Sequence, residues 1–200
     1  MALISCLLLR IDWTTNNAFD LWLIRHINNS WTSDTLDWYF SHARETLFWM
    51  PLYLFLFLHV ILRYGKKGAV WVVGFLLTAA LSDIVSSQII KQVVFRIRPC
   101  QDHDVASTLR FFINYCPQSS SFTSSHATSH FAQAMFLYLT LRHTGKGWAL
   151  IFLWAFLIAY GQIYVGVHYP VDVIAGSLVG CLIGWAISRL FYKRAGMLAS

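Results

Sequence analysis

Long apolar stretches alternate with short polar ones along this chain, and the alternation predicts a helical bundle in a membrane. Five stretches, at about 46–62, 68–90, 126–141, 148–167 and 171–191, each come near the roughly 20 residues a helix needs to cross a bilayer. Residues 1–45 hold no span. They mix Trp, Leu and Phe with Asp, Arg and Asn and read as one or two amphipathic helices lying in the interface. A re-entrant or sixth membrane-embedded helix is the alternative there. Met1 to Leu9 is apolar but short, with no charged segment before it, so it reads as a plain anchor rather than a signal peptide. The expected fold class is an all-α integral membrane protein: a bundle of five transmembrane helices (46–200) with an N-terminal interfacial amphipathic segment (1–45).

Composition agrees with this pattern. Of 200 residues, 57% are hydrophobic and only 12% charged, against about a quarter charged in soluble domains. Four cysteines are too few for a disulfide scaffold. The net charge is +6, but the basic residues are dispersed. They point to membrane topology and anion binding, not to nucleic acid.

The basic residues orient the bundle. Arg63, Lys66 and Lys67 fill one turn, Arg142 and Lys146 another, and Arg189, Lys193 and Arg194 the tail. With five spans these lie on one side, which the positive-inside rule makes cytoplasmic. The C-terminus is then cytoplasmic, and the opposite face lies outside the cytoplasm.

Three polar islands fall on that opposite face: Lys91 to Pro99, Ser121 to His126, and His168 to Asp172. Such groups near a bilayer are functional candidates. Lys91 and Arg98 close the second helix. If the helix continues, they share a face about 10 Å apart along the axis. Arg96 is off that face and reads as a surface charge. Ser124 and Ser125 open the third helix, where N-cap hydroxyls and free amides bind anions. His126 stands in the first turn. His130, one turn deeper, reads as a packed polar group; with no third ligand evident, no metal is assigned. Asp172 follows His168 by four residues, so it can hold one imidazole nitrogen and leave the other as a nucleophile or base. Asp83 reads as a structural partner within the bundle, and Gln101 to Asp104 as a solvated loop. Gly176, Gly180 and Gly184 form a close-packing face or are incidental. Cys100 and Cys116 lie in the outward loop, where a bridge would tie Arg98 to the approach of Ser124; two free thiols are the alternative. Cys6 and Cys181 sit in apolar settings and are expected to stay reduced.

Together the islands resemble the type 2 phosphatidic acid phosphatase family, the membrane lipid phosphatases of the acid phosphatase–haloperoxidase superfamily. That family carries K-x6-R-P, P-S-G-H and S-R-x5-H-x3-D in this order. Lys91, Arg98 and Pro99 complete the first; Thr123, Ser124, Ser125 and His126 keep the serine and histidine of the second; His168 and Asp172 keep the third. The S-R pair reads Gly161-Gln162. Gln162 brings no charge where the family has an arginine, so either Arg96 or Arg110 compensates, or the substrate differs, or activity is weak.

The resemblance implies dephosphorylation of a lipid phosphate or diphosphate, with no metal or other cofactor. By it, His168 attacks phosphorus, Asp172 orients His168, and His126 protonates the leaving oxygen. Lys91, Arg98, Ser124, Ser125 and Gln162 hold the phosphoryl oxygens. Undecaprenyl diphosphate, phosphatidylglycerol phosphate, phosphatidate and a lipid A phosphate all fit such a site. A non-catalytic lipid-phosphate binder or transporter and a lipid-to-lipid phosphotransferase stay open as rivals. Oligomeric state is not legible.

Overall fold

The computed structural model describes residues 11–13, 16–113, 115–196 and 198. The apolar start at Met1 to Leu9 and Cys6 lie outside the described residues. Helices dominate, as the hydropathy predicts. Among the described residues four are long and apolar enough to cross a membrane: α3 (Thr46–Tyr64), the rod from Lys66 to Val93, the rod from Lys146 to Tyr164, and α9 (Pro170–Ala195). The rod from Lys66 to Val93 is α4 (Lys66–Asp83), a π-helical stretch and the last turn α5 (Lys91–Val93); the rod from Lys146 ends in α8 (Ile151–Tyr164).

The expected third span is α7 (Ser125–Leu141), of 17 residues. At 1.5 Å per residue it is about 25 Å long, short of the hydrocarbon core of roughly 30 Å. It is the central helix, packed on α9, α8 and α4. Neighbours cover it on every side, so its polar Thr128, His130, Gln133 and Thr140 are buried within protein.

The glycine face is a packing face. A Cβ on Gly180 would stand 2.2 Å from the Thr128 carbonyl oxygen, and one on Gly184 2.2 Å from that of Ala132. Only hydrogen at these positions lets α9 lie on the α7 backbone.

The N-terminal segment caps the site end of the bundle. It comprises β1 (Ile11–Trp13), α1 (Ala18–Arg25) and α2 (Asp34–Ala43). α1 packs on α9, and α2 on α8 and α3. Phe19, Trp22, Trp31 and Trp38 stay exposed, the amphipathic aromatics that favour a membrane–water interface.

The second helix does not continue to Arg98. It ends at Val93, and Val94–Arg96 form strand β2, parallel to β1 with Trp13 opposite Arg96. β-branched and aromatic residues at 93–95 favour extended backbone once a partner strand is present. Lys91 and Arg98 therefore do not share a helix face.

Candidate functional site

The three islands converge where strand β2 and Arg98 meet the starts of α7 and α9. Ser124 caps α7 through its side chain, which accepts from the Ala127 N–H at 3.4 Å, while its own N–H donates to the Asp172 carbonyl at 3.1 Å. The start of α7, and with it His126, is thereby joined to the first turn of α9. His168 stands in the turn before α9, its N–H and that of Val167 both donating to the Gln162 carbonyl. Pro170 occupies the start of α9, where its missing N–H is harmless.

Asp172 is fully buried and saturated. Its carboxylate accepts from Ser121 Oγ at 2.5 Å, the Tyr169 N–H at 2.9 Å and Arg96 Nη1 at 2.7 Å, and Oδ2 lies 3.6 Å from His168 Nδ1. Arg98 Nη1 lies 3.0 Å from His168 Nε2. A guanidinium only donates, so Nε2 accepts and the ring proton sits on Nδ1, facing Asp172. Burial lowers the pKa of His168 to about 3, with Arg98 adding to the shift and Asp172 opposing it. The imidazole is thus neutral at pH 7, with a lone pair on Nε2.

Arg98 is held by Ser119, Ser120 and Val167 as well as His168. Burial lowers its pKa to about 10, so it stays charged at neutral pH. Lys91 opens α5 and is half-buried. Ser125 Oγ is engaged by Ser86 at 2.9 Å and Ser87 at 3.1 Å. With both serine hydroxyls occupied, what they offer an anion is the first-turn amides of α7. Gln162 is completely buried, and neither side-chain amide atom has a protein partner among the described residues.

His126 opens onto a cleft of about 300 Å³ that also touches Thr46, Asp83, Ser129 and Gln133. Its ring stacks parallel to His130, whose Nδ1 donates to the His126 carbonyl at 2.8 Å. His130 packs against Trp154, as expected of a packed polar group. Asp83 accepts from Ser87 at 2.9 Å, a partner in its own helix.

Arg96 is the main correction. It is 1% exposed, with Nη1 on Asp172 and Nη2 2.5 Å from Asp20. Its guanidinium lies between the rings of Trp13 and Tyr169, 4.5 and 4.1 Å away. The break at Val94 turns it inward, where a helix would have turned it out. Arg110 is paired with Asp37 at 2.7 Å at the partly exposed rim. Neither cation is free to replace the arginine missing at Gln162.

Asp102 is not simply solvated. It caps the short helix α6 (His103–Ala106) and accepts from Asn16 and Tyr169, while His103 and Asp104 are exposed. The described residues hold no group of three or more His, Cys, Asp and Glu arranged around a common metal position. Cys100 and Cys116 meet in disulfide geometry, Cα atoms 6.0 Å apart, and Cys181 is a free thiol.

Sequence reasoning gave no role to Ser121, Asp20 or Arg44. Ser121 lay in plain view inside the second island. Asp20 and Arg44 belong to the N-terminal segment, where no motif distinguishes them from interfacial charge.

A sequence model of the PAP2 superfamily matches residues 69–195. The chain is 30% identical over 169 residues to the lipid A 4'-phosphatase of Bacteroides thetaiotaomicron, covering 82% of this chain and 73% of that one. It is 31% identical over 145 residues to the undecaprenyl-diphosphatase of Sulfolobus acidocaldarius, covering 72% and 64%. The crystal structure of Aquifex aeolicus LpxE superposes with a TM-score of 0.59 at 28% identity, covering 87% of this chain and 97% of that one.

Proposed function

The chain belongs to the PAP2 superfamily, and from that premise we propose that it is a lipid phosphatase acting through a phosphohistidine at the extracytoplasmic face. The observation that carries this reading is His168, with Nε2 unprotonated beside Arg98 and Nδ1 turned to Asp172. Pure anion binding needs no such oriented lone pair.

In the proposed reaction, Nε2 of His168 attacks phosphorus as the bond from phosphorus to the leaving oxygen breaks. His126 gives that oxygen a proton. The ring of the phosphohistidine is cationic, and Asp172 holds its Nδ1 proton while countering the charge. His126, now neutral, takes a proton from water, whose oxygen attacks phosphorus. The P–N bond breaks, phosphate leaves and His168 is free again. Arg98, Lys91, the first amides of α7 and the Gln162 amide hold the phosphoryl oxygens, so protein cations supply the neutralisation. The lipid enters by the cleft at His126, whose open side lies among α3, α4 and α7.

Lipid A phosphate and undecaprenyl diphosphate are the substrate classes the named relatives suggest. The basic turns at Arg63–Lys67 and Arg142–Lys146 end the helices opposite the site, which supports a cytoplasmic C-terminus by the positive-inside rule. A bridge between Cys100 and Cys116 fits an oxidising compartment on the site's side.

The test is phosphate release by purified protein in detergent, across these lipids and with EDTA present. Turnover is expected to persist in EDTA and to vanish in His168→Ala. Retained turnover in that variant sinks the mechanism. Radiolabelled phosphate moving to a second lipid rather than to water would instead make the enzyme a phosphotransferase.

A further inference from the structure

Gln162 leaves the phosphate site one guanidinium short, and a buried cation elsewhere has two donors unpaired among the described residues. Arg44, at the C-terminal end of α2, is 3% exposed. Its Nη2 donates to the Tyr115 hydroxyl at 3.3 Å. Its Nε and Nη1 have no hydrogen-bond partner among the described residues. The nearest carboxylate oxygen, on exposed Glu45, is 3.9 Å from Nε, too far for a hydrogen bond. Burying guanidinium donors unpaired is costly, and such cost persists where function requires it.

The α2–α3 corner that carries Arg44 also borders the cleft at His126. Trp49 Nε1 donates to the Ala43 carbonyl at 2.7 Å and fixes the corner. Trp49 packs edge-on against Trp154, Trp154 against His130, and His130 stacks on His126. Thr46, two residues on, lines the same cleft as Ser125 and His126. The charge of Arg44 acts on both Arg98 and His126, which puts it within electrostatic reach of the phosphate cradle and the leaving-group acid. Arg96 and Arg110 each hold carboxylates through their terminal nitrogens, and Arg96 leaves only Nε unpaired among the described residues, so neither offers two free donors in one buried guanidinium.

We propose that Arg44 binds the phosphoryl group through Nε and Nη1, supplying from the N-terminal segment the cation that position 162 lacks. This rests on the phosphatase reading and adds a phosphate ligand to it. Two parallel guanidinium donors suit two phosphoryl oxygens. The N-terminal cap then completes the active site rather than merely covering it.

The test compares wild type, Arg44→Gln and Arg44→Met in detergent, with inorganic phosphate as probe. Wild type is expected to gain thermal stability from phosphate and to be inhibited by it. Both variants should weaken inhibition about tenfold or more, a loss of ~1.4 kcal/mol per tenfold. They should also lose the phosphate-induced rise in Tm while keeping or raising Tm without phosphate, since a buried unpaired charge has been removed. Adding Gln162→Arg to Arg44→Gln should recover phosphate affinity. Adding it to wild type should not improve affinity, because two guanidinia would crowd one anion. Unchanged inhibition in the Arg44 variants overturns the proposal. So does failure of both variants to fold, because a cation held for a ligand is not needed by the fold. If wild type neither turns over a lipid phosphate nor responds to phosphate, the phosphatase reading itself fails.

Discussion

Asp172 holds His168 with a negative charge that a single adjacent guanidinium would largely cancel. Here Arg96 is shared between Asp172 and Asp20, all three buried. The set carries one net negative charge, which favours the cationic ring formed when His168 takes a phosphoryl group. Asp20 also accepts from the Val171 N–H at 2.9 Å, fixing the start of α9. Asp20→Asn should therefore lower kcat by about tenfold or more, ~1.4 kcal/mol per tenfold, with KM little changed. Arg96 would then lean wholly on Asp172 and withdraw charge from His168. A KM rise with kcat intact would assign Asp20 to substrate binding instead, and an unchanged kcat would remove the relay. Sequence reading left Arg96 on the surface because helical spacing pointed it outward. Nothing local announced that strand β2 would turn it in.

The pairing of α7 with α9 sets the distance between the leaving-group acid and the nucleophile's orienter. Ser124 on α7 donates to the Asp172 carbonyl on α9, and three glycines let the helices touch along their length. At Gly180 the facing atom is a backbone carbonyl oxygen, which no rotamer change can move aside. Gly180→Ala should force the helices apart, costing roughly 1–3 kcal/mol by overpacking. The readout is a lower Tm in detergent together with reduced turnover, because His126 is carried away from His168. A variant with wild-type Tm and turnover would show that the contact is loose. The glycine spacing was legible in the sequence, but its reading as a packing face required the partner helix to be seen.

At the scale of the molecule, the site is built from both ends of the chain. Asp20 and Arg44 reach it from the cap, Lys91 and Arg98 from the middle, and His168 and Asp172 from the last third. The loop from Arg98 to Ser124 crosses above these parts, and the joined Cys100 and Cys116 close it. Tyr115, next to Cys116, accepts from Arg44. Cys100→Ser with Cys116→Ser should lower stability by roughly 3 kcal/mol, from the loop-closure entropy of about 15 residues. It should also weaken phosphate binding by loosening Arg44 and Arg98 together. Non-reducing peptide mapping checks the bridge first. Free, alkylatable thiols at both positions in protein purified without reductant would remove it and count against the loop's outward placement.

Hydropathy alone determined the helical membrane class, because apolar runs near bilayer length have few other stable fates. The ordered spacing of Lys91 to Pro99, Ser124 to His126 and His168 to Asp172 was also enough to name the family, and it singled out the residues proposed as nucleophile and orienter. These are local features: a four-residue offset on one helix start, a cap followed by a histidine. The tertiary structure decided which charges meet across the chain. It turned Arg96 from the surface to Asp172, engaged the Ser125 hydroxyl with the π-helical stretch after α4, and buried Arg44 with two donors unpaired among the described residues. Electrostatic pairing depends on distances between elements remote in sequence. No local pattern encodes them, so an arginine at an interface and an arginine in a phosphate site look alike until the chain is folded.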